Sequence, residues 1–133
     1  MEKKNLYLQM IQGIVNRMAS NSFMLKGWAV TLIAGIFALA SKDSDKVYFL
    51  IAYVPIIIFW GLDAYYLMQE RLFRNIYNRV RCLNDSEIDF SMDTSEYIDK
   101  NTHYSTCLLS ATELWFYLPL ALLSAAIIIL TYI

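Results

Sequence analysis

Arg71, Arg74, Asn78 and Arg81 recur at steps of three and four, with Tyr77 and Arg79 beside them. On a helix that spacing makes one basic ridge. Guanidinium groups fit phosphate bidentately, so Arg71, Arg74, Arg79 and Arg81 form a candidate face for a nucleotide or single-stranded nucleic acid, with Phe73 and Tyr77 as stacking surfaces. The same arginines would also suit lipid headgroups, or pairing with the acids of residues 85–99. A second candidate set is Lys26, Asp63 and Glu113, each beside or inside a long uncharged run. An ionised side chain at mid-membrane costs up to roughly 2.5–3.5 kcal/mol, less near the interface, so such groups need partners or water. Lys26 and Asp63 can pair within one chain and fix a helical hairpin. Alternatively, the three groups can form a ring at a pore mouth in an oligomer.

Other chemistry is sparse. There is one histidine, His103, and no GxSxG, HExxH or glycine-rich phosphate loop, so the chain does not read as an enzyme and no cofactor is expected. His103 and Cys107 are four apart and could share a helical face, but a metal site needs three or four ligands and Cys82 lies far upstream. No CxxC spacing occurs, and reduced thiols are the expectation.

The elements that must position these residues are membrane helices. At 133 residues, 58% hydrophobic and 15% aromatic, the chain is too apolar for an ordinary soluble domain. Residues 1–20 place Leu6, Tyr7, Met10, Ile11, Ile14, Val15 and Met18 at helical spacing, an amphipathic helix that either lies flat on a membrane or packs against Leu72, Ile76 and Val80. No unbroken apolar core follows MEKK, so this is not read as a cleavable signal peptide. Asn21 and Ser22 suit a new helix start, and residues 23–41 form a first transmembrane helix with Lys26 near its cytoplasmic end. The short stretch 41–46 makes an outward-facing turn. Residues 47–69 form a second span, kinked at Pro55. Its continuation and an acidic loop, residues 70–111, stand in the cytosol, and residues 112–133 form a third span.

The arginine excess marks that side as cytoplasmic, with the amino end inside and the carboxyl end outside. The fold class expected is therefore all-α, an integral membrane protein with three transmembrane helices, an N-terminal amphipathic helix and a cytoplasmic extension of the second span. Ala34 with Ala38, Gly35, and Ala121 with Ala125 offer small surfaces for close helix approach. A pore inside one three-helix chain has no room for water, so conduction would need several copies.

The runs NSFMLKGWAVTLIAGIFALA, IIIFWGLDAYYLMQERLFRNIYNRVR and DFSMDTSEY resemble those of small bacterial membrane proteins of antiphage defence. In particular the chain is similar to the membrane effector of Hailong-type systems, in which a partner nucleotidyltransferase makes DNA oligomers that hold an oligomeric ion channel closed. The resemblance implies an inner-membrane homo-oligomer, with Arg71, Arg74, Arg79 and Arg81 assigned to the oligonucleotide and the bilayer helices to the channel. A non-conducting scaffold that recruits a soluble partner through the acidic loop is the alternative expectation.

Overall fold

A single stripe of side chains runs the length of the first helix. Tyr7, Ile11, Val15, Ala29 and Ile33 are buried, and Ala19, Ser22 and Lys26 are half-buried between them. All fall at steps of three or four, so one face serves from end to end. The computed structural model describes residues 2–40 and 50–132. In it α1 covers Glu2–Ala40, 39 residues without interruption. The expected boundary between an amphipathic helix at 1–20 and a new helix at 23 is therefore corrected: Asn21 and Ser22 lie inside one helix. A serine cap is worth about 1 kcal/mol. Breaking α1 here would forfeit consecutive backbone hydrogen bonds and split a continuous packing face, and the Ser22 hydroxyl is instead spent on Asp63.

Helix α2 covers Tyr53–Val80, 28 residues, entered through a 3₁₀ turn at residues 50–52. The expected turn at 41–46 and the start of the second span at 47–49 lie outside the described residues. A kink at Pro55 is not what the helix bounds give. Pro55 is the third residue of α2, in the first turn, where a backbone N–H has no intrahelical acceptor and proline removes nothing.

Helices α1 and α2 pack antiparallel. Tyr7, Ile11 and Val15 meet Ile76 and Val80 at one end, and Ile33 meets Ala52 and Ile56 at the other. Where the alternative is exposure to water, full burial of a side chain the size of Val or Ile stabilises by roughly 1.5–3 kcal/mol. Of the two arrangements open for the amphipathic start of α1, the structure has it packed on α2.

The acidic stretch folds back over this end. It holds three 3₁₀ turns, Asp85–Glu87, Ser95–Tyr97 and Lys100–Thr102, and the short helix α3, Tyr104–Leu108. Leu83, Ile88, Phe90, Met92 and Tyr97 pack on the α1/α2 cluster. The Tyr7 hydroxyl donates to the Ser91 carbonyl, and Asn75 Nδ2 donates to the Tyr97 carbonyl at 2.9 Å. Helix α4, Ala111–Tyr132, carries Pro119 inside it. It leans on α2 through the Tyr53 hydroxyl, which donates to the Ala121 carbonyl at 3.2 Å. No strand occurs among the described residues. Three helices are long and apolar enough to cross a membrane, over Glu2–Leu39, Leu50–Val80 and Ala111–Leu130. At most 22% of the most apolar stretch of any of them is buried within the chain, so most of their apolar surface is uncovered.

Candidate functional site

Lys26 on α1, Asp63 on α2 and Glu113 on α4 meet at the junction of the three helices. Asp63 and Glu113 expose no surface, and the Lys26 side chain is 17% exposed. Lys26 Nζ lies 2.5 Å from Asp63 Oδ2 and 3.7 Å from Glu113 Oε1, and donates to Ser22 Oγ at 3.0 Å. The Ser22 hydroxyl in turn donates to Asp63 Oδ1. The Tyr117 hydroxyl donates to Asp63 Oδ2 at 3.1 Å and reaches the Phe59 carbonyl at 3.3 Å. Asp63 thus receives three donors from α1 and α4. Among the described residues Glu113 receives none: neither carboxyl oxygen has a hydrogen bond, and its one ion-pair contact is with Lys26.

Aromatic rings wall the cluster. Lys26 Nζ is 5.8 Å from the Phe116 ring centre and 6.0 Å from that of Tyr117, within cation–π range. Trp60 stacks on Tyr117 at 5.9 Å with planes 5° apart, and its Nε1 donates to the Leu108 carbonyl at 2.8 Å. The chemistry this supports is electrostatic locking. One ammonium ties three helices together where no water reaches the two carboxyl groups.

The spacing of charges singled out Lys26, Asp63 and Glu113 but not Tyr117, Ser22 or Trp60. Tyr117 sits in an uncharged run and reads there as one more apolar side chain. Only its polar tip, in a run with few hydrogen-bonding side chains, could have flagged it.

The arginine segment is arranged differently. Arg71 Nη1 donates to the Asn101 carbonyl at 2.8 Å and to Cys107 Sγ at 3.8 Å. Arg74 pairs with Glu70 one turn earlier at 2.9 Å. Arg79 lies over the Tyr97 ring at 5.6 Å and pairs with Glu96 at 3.6 Å. Arg81 is exposed and caps the carboxyl end of α2. Tyr77 and Phe73 are half-buried against the α1/α2 cluster, so their rings are partly occupied by packing. Arg71, Arg74 and Arg79 thus engage three different neighbourhoods, and Arg81 shares none of them.

The thiols differ in the same way: Cys82 is exposed and Cys107 is buried. Burial pushes the Cys107 thiol up from its ordinary value, Arg71 partly offsets this, and Glu113 adds to the rise. His103 caps the start of α3. Among the described residues no three histidine, cysteine or acidic side chains are grouped to hold a metal. No protein-family model, curated protein or solved structure matches the chain.

Proposed function

We propose that the chain is the subunit of a homo-oligomeric channel, or membrane-disrupting effector, of bacterial antiphage defence. It resides in the inner membrane with its amino end in the cytoplasm and its carboxyl end outside, and a cytoplasmic nucleotide or single-stranded DNA oligomer controls it. A neighbouring nucleotidyltransferase is the natural source of that signal. The observation that carries the reading is the continuity of α2. One helix of 28 residues, about 42 Å long at 1.5 Å per residue, joins the Asp63 cluster to the arginine segment without a break. A ligand gates only by binding one state better than the other, so it must act on an element that moves. A rigid rod with arginines at one end and a three-helix lock near its middle is such an element.

The test is ion flux from liposomes holding the purified chain, with and without short single-stranded DNA. Flux that the oligomer changes, with a steep dependence on salt, supports the proposal. Flux indifferent to every oligomer defeats the gating part, and no flux at any protein density defeats the channel. The engagement of Arg71 and Arg79 by the acidic segment favours a second reading, a non-conducting scaffold whose segment 85–106 receives a soluble partner. That reading predicts no flux and a stoichiometric complex.

A further inference from the structure

We infer that Glu113 is a proton-binding site: with α4 seated on the α1/α2 hairpin it is a neutral carboxylic acid, and the proton leaves when that seam opens. Two carboxyl groups share one ammonium at the junction, and the donors there are divided unequally. Asp63 takes bonds from Ser22, Lys26 and Tyr117. Glu113, equally without exposed surface, takes none among the described residues, and Lys26 Nζ stays 3.7 Å away. A buried carboxylate without hydrogen bonds is so poorly solvated that the group neutralises instead. The proton therefore belongs on Glu113, and Asp63 is the carboxylate of the pair. A carboxylate has about four acceptor positions. Three are used on Asp63, which leaves one for the new O–H.

The charged groups packed around Glu113 do not replace that proton. From α1 comes Lys26, already committed to Asp63 and Ser22. From α2, Glu70 is paired with Arg74 at 2.9 Å. Arg71, also on α2, lines the same cavity as Glu113, but it donates to the Asn101 carbonyl and Cys107 Sγ, and no ion pair joins it to Glu113 among the described residues. From α3, the Cys107 thiol is pushed above its ordinary value by burial and keeps its proton at neutral pH. On α4 itself, Tyr117 donates to Asp63. Cations and acids here match in number, yet a match in number does not solvate a carboxylate that only one of them touches. The first turn of α4 would favour an anion, but its amides do not reach the Glu113 carboxyl. The Glu113 N–H goes to Ser110 Oγ at 3.4 Å, and that of Leu114 to the Ser110 carbonyl at 2.9 Å.

Opening the seam exposes Glu113 to water, where a glutamate ionises above about pH 4.3. Above that value the closed state holds one more proton than the open state. Raising the pH therefore favours opening, by about tenfold per unit until the closed state itself lets go. Glu113 lines the cavity between α1, α2 and α4, which gives the proton its route to solvent.

Infrared spectra of the full chain in lipid vesicles at pH 7 test the assignment. A carboxylic acid C=O band, which ionised carboxylates lack, is expected in wild type, lost in Glu113→Gln and kept in Glu70→Gln. No such band, or a band that survives Glu113→Gln, would overturn the site, and the wild-type spectrum decides even if the variant fails to fold. In detergent, the unfolding equilibrium constant at one temperature should rise about tenfold per unit between about pH 5.5 and 7. Glu113→Gln, which has the shape of the neutral acid, should lose that rise and match wild type at the lower pH. His103→Gln removes the one histidine of the chain and should keep it. A flat wild-type profile, a slope that persists in Glu113→Gln, or a slope lost with His103 would each overturn the site. Proton binding at Glu113 requires neither conduction nor a DNA ligand, so the flux and infrared results stand or fall separately.

Discussion

Removing one member of the Lys26, Asp63 and Glu113 cluster should have a cost that depends on which member is removed. Lys26→Met deletes the only cation and leaves two carboxyl groups with no exposed surface facing each other. Truncating one side of a buried ion pair costs roughly 3–5 kcal/mol. Asp63→Asn is gentler, because Lys26 still has Glu113 at 3.7 Å, and the asparagine carbonyl can still accept from Tyr117. All three bonds to Asp63 lose their anionic acceptor, and the largest single loss, of the ion pair with Lys26, is about 1.5–3 kcal/mol. The triple replacement Lys26→Met, Asp63→Asn, Glu113→Gln removes every charge together and should regain most of the loss, since a buried pair replaced by neutral groups of similar volume is often near neutral. Thermal unfolding in detergent, followed by helical circular dichroism, orders the variants. The expected midpoints fall from wild type through the triple variant and Asp63→Asn to Lys26→Met. If Asp63→Asn left the midpoint untouched and changed only ion selectivity in liposomes, the cluster would be a pore-mouth ring and not a lock between helices. If the triple variant were the least stable, the charges would contribute net stability that neutral groups of similar volume do not replace.

Four further outcomes are expected. Ile76→Ala removes a fully buried side chain from the α1/α2 cluster and should cost about 2–5 kcal/mol. Faster proteolysis at Arg17 is the readout, and unchanged cleavage would mean that the cluster does not hold the start of α1. Cys82 should react with maleimide well before Cys107, because the buried thiol, raised above its ordinary value, holds less thiolate at neutral pH. The gap should narrow as pH rises, and equal rates at pH 7 would contradict the burial. An impermeant maleimide should reach Cys82 only after the cytoplasmic face is opened, and labelling of intact cells would invert the proposed topology. Trp60→Phe keeps a ring against Tyr117 but removes the donor to the Leu108 carbonyl. It should cost about 1 kcal/mol and raise amide exchange in Tyr104–Leu108, with no change there refuting the role of that bond.

Much of this architecture was legible in the sequence because its signals are long. Uncharged runs and the steps joining Tyr7, Ile11 and Val15 survive any small error in placing boundaries. Lys26, Asp63 and Glu113 stood out for the same reason, as charges at similar distances into apolar runs. Local signals were less dependable. Asn21 and Ser22 carry real capping propensity, yet a cap worth about 1 kcal/mol yields to a packing face that continues on both sides. Pro55 suggests a kink only if the helix already exists upstream of it. In the structure α2 begins two residues earlier, and the same residue becomes harmless. Tyr117 was hidden because its contribution is one hydroxyl on a ring that otherwise behaves as packing. The arginines were visible as a ridge, but their partners Asn101, Glu96 and Tyr97 come from a stretch whose path no periodicity describes.

The acidic stretch is stitched to both long helices rather than to one. The Lys4 amide donates to Asp85 Oδ1 at 3.0 Å, the Tyr7 hydroxyl bonds the Ser91 carbonyl, and Asn75 holds both Tyr97 and Asp99. A pull on that strap is therefore shared between α1 and α2, and the two rods tilt in unison instead of sliding past each other. Motion of this hairpin should accordingly be all-or-none, with the seam against α4 as the plane that gives way.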